Sequence, residues 1–342
     1  MKLALNLGYL TRDRLPDLEL VLEAERLGYD SVWVAESWGS DAVTVLSWIG
    51  ARTSTIKLGS GILQMPARTP AMTAMTAATL DRLSDGRLLL GLGLSGPQVV
   101  EGWHGEPYGK PLGKTREYVS IVRDILRRED PLTHRGSHYE IPLTGERSTG
   151  LGKPLKLMTH PLRSDVPIYL AAIGPQNVAL TAEIADGWLP VFYSPERADE
   201  VFGPSLSAGL AKAADPAKPF DVAPSLAAII SDDIEAARNK LRPQAALYVG
   251  GMGAKGRNFY NDLAARYGYA EAAERVQELY LAGDKMAALH AVPDQLLDEV
   301  NLVGTPDMVR DRLEVWRSSN VTTLLVSVGD LVTLRTLAEL VL

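Results

Sequence analysis

The sequence contains no cysteine, which rules out disulfides, thiolate nucleophiles and cysteine-ligated metals. Aromatic residues are scarce, at 6%, and histidine occurs only five times in 342 residues. No stretch of about 18 apolar residues exists, so no transmembrane helix is expected. Positive charge is not in excess either: 35 Lys and Arg face 42 Asp and Glu, a net charge of −7. That balance argues against a nucleic-acid groove or an anionic membrane surface as the main partner. The N-terminus "MKLALNLGYLTRDRLPDL" has a short apolar run broken at Asn6, and no small-residue cleavage site follows it. With the missing cysteines, this sets the expectation of a cytoplasmic protein that acts on a small molecule.

What is present is apolar residues, 46% of the chain, arranged in a strict alternation. Strand signals stand at 2–8 ("KLALNLG"), 31–36, 56–63, 88–94, 167–174, 187–192, 222–230 and 322–329. Helical signals separate them. Residues 15–28 place Leu15, Leu18, Val21 and Leu22 on one face, with Gly28 as the stop. Residues 69–87 start with Thr69 as cap and Pro70 in the first turn, and Met72, Met75, Leu80 and Leu83 are expected to face inward. Further helical stretches are read at 42–53, 115–129, 232 to about 292, and about 306–318. Eight near-continuous apolar strands with helical partners predict an α/β fold, a (β/α)8 TIM barrel with insertions, as one domain over 1–342. A doubly wound sheet competes, but the alternation runs to the C-terminus without a linker. Insertions are read at about 95–112, 131–166 and 232–292; the first two are loops, and loops of that length read as lids or binding loops.

The segment "RLLLGLGLSGPQ" (87–98) raises a sharper question, because Gly91, Gly93 and Gly96 spell G-x-G-x-x-G. A dinucleotide-binding turn needs a long helix to open at the third glycine, after the first strand of its unit. Here Pro97 follows, glycines and prolines interrupt the next stretch, and the strand is the fourth. Two readings remain open: glycines chosen for close packing in a barrel, or a rim segment where a flat ligand lies against backbone. Similarly, "AAIGPQN" (171–177) is either a plain strand-to-helix turn or an anion site made by helix amides.

The segments "GYDSVWVAES", "IKLGSGILQMPARTPAMTAMTAATLDRLSDGRLLLGLG", "SGPQVVEGWHGEPYGKPLGKTREYV" and "IYLAAIGPQNVALTAEIADGWLP" resemble the luciferase-like monooxygenase superfamily, and specifically its branch of oxidoreductases that use the deazaflavin coenzyme F420. The resemblance covers essentially the whole chain. It implies a bacterial luciferase-like barrel with the coenzyme lying across the C-terminal rim. It also implies a non-prolyl cis peptide at Gly61–Ile62 behind the ring, with Leu63 next to it. "LSGPQVV" would run along the coenzyme, making Ser95, Gly96, Gln98 and Val99 candidates. Gly174 and Pro175 would frame the phosphate, with Gln176 and Asn177 amides as donors. The activity implied is hydride transfer between F420 and an unidentified organic substrate. An FMN-dependent monooxygenase and a non-catalytic flavin-binding barrel are the alternatives. Relatives often form dimers, so a homodimer is expected.

After strand two, relatives carry an acid followed by His. Here the acid is Glu36, but Ser37 stands where the His would be. Glu36 is read either as acid/base or as a carboxylate at a helix N-terminus. His104 is read as proton donor or as a solvated loop residue. Ser37, Trp38 and Trp103 are candidate substrate-pocket residues, although both tryptophans could equally be core. Arg68 could approach the coenzyme's acidic tail or pair with a nearby acid. No metal site is expected, because His134 and His138 fall in a glycine-containing loop. A hydrolase using Glu36, Glu101 and Asp186 has the residues but no selecting spacing.

Overall fold

The computed structural model describes residues 1–9 and 17–342, so Leu15 lies outside the described residues. The chain runs β1 (Lys2–Gly8), α1 (Leu18–Leu27), β2 (Ser31–Val34), α2 (Ala42–Gly50), β3 (Lys57–Ser60), β4 (Leu63–Gln64), α3 (Pro70–Leu83) and β5 (Leu88–Gly93). It continues with α4 (Pro97–Gly102), α5 (Pro111–Arg127), the hairpin β6 (His134–Arg135) and β7 (Glu140–Ile141), β8 (Ile168–Leu170), α6 (Pro175–Ile184), β9 (Gly187–Trp188) and α7 (Ala198–Leu210). The last third holds β10 (Asp221–Val222), β11 (Ser225–Ile230), α8 (Ile234–Ala246), α9 (Phe259–Ala264), α10 (Ala270–Leu281), α11 (Lys285–His290), α12 (Asp294–Val300), β12 (Leu302–Gly304), α13 (Pro306–Arg317), β13 (Thr323–Ser327) and α14 (Leu331–Val341).

All pairings of the main sheet are parallel, and consecutive neighbours are β13, β1, β2, β3, β5, β8 and β9. The cylinder closes through residues 221–225. Ala223 and Ser225 amides donate to the Trp188 and Pro190 carbonyls on one side, and Thr322 and Leu325 amides donate to Val222 and Pro224 on the other. This is the expected TIM barrel. Its interior holds Ala4, Trp33, Leu89, Tyr169, Leu189, Ala223 and Leu325. Trp33 and Tyr169 meet edge to face, centroids 5.2 Å apart. Large rings fit inside because neighbouring strands are thin: a Cβ on Gly59 would lie 2.2 Å from the Trp33 indole.

Side-chain caps start most helices as the sequence implies. Asp17, Asp41 and Thr69 each accept an amide of the first turn. On α3 the inward face differs from expectation. Leu80 is buried, but Met72, Met75 and Leu83 are exposed, and Thr73, Ala74, Ala77, Ala78 and Asp81 face the strands. Small side chains let this helix lie close to the barrel wall, so its longer apolar ones point out. On α1, likewise, Val21 is buried and Leu22 is not.

The three insertions divide between the two ends of the barrel. Segments 95–112 and 232–292 follow strands and sit at the C-terminal rim. Segment 131–166 follows a helix, so it leaves from the opposite end and its last residues return there. Arg163 fixes them there, bonding the buried Asp81 carboxylate and the carbonyl of Leu88, the first residue of β5. The β6–β7 hairpin of the same segment instead climbs α5 toward the rim: the His138 and Tyr139 amides donate to Glu117, and Tyr139 packs edge to face on Tyr118, whose hydroxyl bonds the Arg68 carbonyl.

Asp221 ties the floor together. Its carboxylate accepts from Lys2 Nζ (2.9 Å), Thr323 Oγ1 (2.8 Å), Thr322 Oγ1 and the Tyr169 hydroxyl (2.9 Å). Burial alone would raise its pKa, but the Thr322 bond and the Lys2 charge prevail and hold it below the ordinary aspartate value. A depressed native pKa means the stabilisation is complete above the unfolded value of about 3.9 and is lost as pH falls through the native one. Asp221→Asn is expected to cost about 2 kcal/mol at pH 7. In urea titrations the gap between wild type and variant should narrow steadily as pH falls below about 3.9, and a gap independent of pH refutes the assignment.

Candidate active site

The rim is built where β2, β3, β5 and β8 end side by side. At the end of β3 the peptide Gly61–Ile62 is cis, as the resemblance implied, and β4 resumes pairing with β5 through Leu63↔Leu92 and Gln64↔Gly93. The glycines of β5 explain how this offset is accommodated. Ser60 Oγ both accepts from the Gly91 amide (2.9 Å) and donates to the Gly91 carbonyl (2.8 Å). A Cβ on Gly91 would sit 1.8 Å from the Ser60 carbonyl oxygen, and one on Gly93 would sit 2.8 Å from Ile62 Cγ1. Gly91 and Gly93 are thus packing glycines. Gly96 is the N-cap residue of the short α4. The G-x-G-x-x-G pattern is one strand making room for another, not a dinucleotide turn.

Next along the rim, Ser95 has φ +62, a left-handed conformation uncommon outside glycine. Gly96 and Gln98 follow at the surface, while the side chains of Val99 and Leu63 are buried, leaving only their backbone for a ligand. Beyond β8, α6 begins at Gly174 and Pro175 with no side-chain cap among the described residues. Its first bonded amide is Val178, to the Gly174 carbonyl. Gln176 and Asn177 therefore present amides that the helix itself cannot satisfy. A Cβ on Gly174 would meet nothing within 4 Å, so this end opens on free space. These residues fit a flat group with an anionic tail: backbone without side-chain bulk at Gly61 and Gly96, then a helix N-terminus that favours negative charge.

Glu36 is 7% exposed and already fully engaged. One oxygen accepts from the Ala42 amide (3.2 Å), at the start of α2. The other accepts from the Gln64 amide (2.9 Å) and pairs with Arg68, which also bonds Asp41 (2.6 Å). Arg68 therefore pairs with acids at the α2 N-terminus. Its own carbonyl accepts from the Tyr118 hydroxyl (3.2 Å), and Tyr118, pushed up to about 12 by burial, stays a neutral donor. Gln64 then links three candidates. Its Nε2 donates to Ser95 Oγ (3.2 Å), and its Oε1 lies 2.8 Å from His104 Nε2. His104 is half-buried and anchored, not a solvated loop residue. Trp38 and Trp103 are 58% and 65% exposed, so neither belongs to the core.

Other candidates lie elsewhere. Asp186 bonds the Ile168 amide and pairs with Arg123 and Lys218 at the floor, so Glu36, Glu101 and Asp186 are not one site. His134 bonds Glu117 (3.2 Å) in the β6–β7 hairpin, which replaces the expected loop. Arg116 forks onto Glu183 of α6 (2.7 Å, twice). Sequence reasoning missed Gln64 and an aromatic group at the mouth. Phe192, just past β9 and left-handed at φ +51, packs on Tyr248 (5.4 Å) and Tyr260 (6.0 Å), and Tyr9 reaches Tyr248 hydroxyl to hydroxyl (3.4 Å). The available signal was position: Tyr9 and Phe192 directly follow barrel strands.

Comparisons with known proteins bear on the fold and the family. A family model described as luciferase-like monooxygenase matches residues 16–323. A Mycobacterium tuberculosis (strain ATCC 25618 / H37Rv) protein named "Putative coenzyme F420-dependent oxidoreductase Rv3520c" is 48% identical over 344 residues, covering 100% of this chain and 99% of that one. The 5,10-methylenetetrahydromethanopterin reductase of Archaeoglobus fulgidus is 29% identical over 306 residues, covering 87% of this chain and 85% of its own. The structure of the coenzyme F420-dependent tetrahydromethanopterin reductase from Methanopyrus kandleri superposes with a TM-score of 0.79 at 25% identity, covering 99% and 96% of the two chains.

Proposed function

The chain belongs to the luciferase-like monooxygenase family, and we propose that within it the chain is an F420-dependent oxidoreductase acting on a small organic substrate. One observation carries the reading. The ends of β3, β5 and β8 form a continuous strip of backbone, from Gly61 past Gly96 to Gly174, that finishes at an uncapped helix N-terminus. When bound, F420 supplies a hydride carried on its deazaflavin ring.

This chain's residues do the rest. Gly61 and Ile62 would hold the ring, with Leu63 fixing the segment. Ser95, Gly96, Gln98 and the backbone of Val99 run along it. Gly174 and Pro175 frame the phosphate, and the Gln176 and Asn177 amides donate to it. Glu36, engaged on all sides, acts as the brace that fixes α2, Gln64 and Arg68. His104 carries the proton, in place of the family His that Ser37 replaces. Ser37, Trp38 and Trp103 line the substrate side and exclude water. No helix of the described residues is long and apolar enough to cross a membrane. We read residues 1–342 as one domain that works as a homodimer in the cytoplasm, which sedimentation and cell fractionation test.

Fluorescence titration with F420 and FMN, followed by a panel of carbonyls, enones and alcohols, tests the function. Expected are saturable F420 binding and hydride turnover without oxygen uptake. FMN binding with oxygen consumption assigns a monooxygenase instead, and F420 binding without turnover across the panel leaves a non-catalytic barrel.

A further inference from the structure

We propose that Gln64 is a positioning residue that holds His104 as the tautomer protonated on Nε2, leaving Nδ1 as the atom that exchanges a proton with substrate. The inference rests on the role of His104 given above, and it goes beyond it by naming the anchor and the nitrogen.

Gln64 is buried, and its backbone is set by Glu36 through the 2.9 Å bond to its amide. Its side chain therefore has little freedom and two partners, Ser95 Oγ and His104 Nε2. A serine hydroxyl can donate or accept, so Ser95 does not decide which way the amide faces. His104 does. A neutral imidazole could face either end of the amide, but an imidazolium has only N–H groups and must face the oxygen. A residue that passes a proton visits both forms. Only the arrangement with Oε1 toward His104 keeps the same anchor in both, and this is the arrangement in the structure. Nε2 then retains its hydrogen throughout, and Nδ1 gains and loses one.

The anchor matters because the segment carrying His104 is loosely built. Gly102 and Gly105 flank it, Trp103 beside it is exposed, and Gly105 is left-handed at φ +67. The backbone contributes the His104 amide bond to Val99 (3.1 Å). Among the described residues, Gln64 is the ring's one hydrogen-bond partner. The surrounding charges are the Glu36–Arg68 pair behind Gln64, and Glu101 and Glu106 on the same segment as His104. In the reducing direction a substrate carbonyl takes the hydride at carbon, its oxygen takes the Nδ1 proton, and imidazolium becomes imidazole. In the oxidising direction the alcohol proton goes to Nδ1 as hydride leaves carbon.

The test is long-range proton–nitrogen NMR of the full chain labelled with nitrogen-15 in histidine, read first without coenzyme. Wild type should show His104 with hydrogen on Nε2 and a bare Nδ1. Gln64→Leu should give a mixture of tautomers and a kcat roughly tenfold lower, the factor expected for about 1.4 kcal/mol of lost positioning, with the KM for F420 unchanged. Gln64→Glu keeps an acceptor, so it should restore the Nε2–H signal and most of the turnover. A bare Nε2 in wild type, an unchanged tautomer in Gln64→Leu, or a lost tautomer with unchanged kcat overturns the proposal. Failure of wild type to bind F420 overturns the proposed function instead, and the coenzyme-free spectrum still decides the role of Gln64.

Discussion

Replacing Gly91 with alanine is expected to lower the unfolding free energy by about 3 kcal/mol and to abolish coenzyme binding with it. The added methyl would sit 1.8 Å from the Ser60 carbonyl oxygen. Overpacking usually costs about 1–3 kcal/mol because neighbours yield. Here the neighbour is backbone, pinned by two bonds between Ser60 Oγ and Gly91, so the upper end applies. Displacing Ser60 displaces Gly61 and Ile62, the proposed support of the ring. Gly203→Ala is the control. It lies inside α7, where the added Cβ meets nothing within 4 Å outside its chain neighbours; the helix-propensity gain is opposed by Pro204, which crowds a side chain on the residue before it, so stability should change by less than about 1 kcal/mol. Urea midpoints and F420 titration read both. A Gly91→Ala protein as stable as wild type would mean that β5 is not packed against the end of β3 as described.

The second large effect falls on rate. His104→Ala is expected to reduce kcat by about 10²–10⁴, the usual contribution of a positioned proton donor, with F420 affinity and urea midpoint unchanged. The side chain is half-buried on a surface segment and bonds only Gln64 among the described residues, so stability should survive its removal. The separation of rate from stability is what distinguishes the role from packing. Glu36→Gln makes the contrasting case. Its carboxylate holds the Gln64 amide, the Ala42 amide and Arg68. A loss of kcat in His104→Ala of less than threefold would remove His104 from the reaction.

Much of this molecule follows from pattern. Eight apolar strands separated by helical periods define the barrel, and the barrel in turn says where to look, because ligands gather at the C-terminal ends of its strands. What failed to show was short or locally ambiguous. β12 is three residues, Leu302–Gly304, below the length at which any period is visible. α7 contains Gly203 and Pro204, residues that read as loop, yet it forms a helix that meets α6 at Gly209, against Ala179 and Ala182, and sets Phe202 on Trp188 and Tyr193. The inward face of α3 was misread because the strongest apolar residues are not the buried ones when a helix lies this close to its sheet.

The site divides the same way. Gly61, Ser95 and Gly174 lie at or within four residues of strand ends, but it was the family resemblance that singled them out. Gln64 was not legible, since its importance comes from partners 31 and 40 positions away that only folding brings near. Glu36 was legible as a residue and ambiguous as a role. One carboxylate at a strand end can serve chemistry or structure, and only the count of its partners separates the two. The glycine triplet, already unlike a dinucleotide turn because Pro97 follows it, left packing and ligand contact open for a related reason. Its spacing suits phosphate binding, but two of its members serve the neighbouring strand.

The long connection 131–166 has one more implication. Arg163 staples its end to Asp81 and Leu88, and Glu117 holds its hairpin on α5, so it works as a strap along the outside of the barrel wall. Loosening the hairpin would be felt by Tyr118 and, through its hydroxyl, by the Arg68 carbonyl. An engineer wanting a handle on this protein has one between the two staples, in residues 149–154, every one of them exposed.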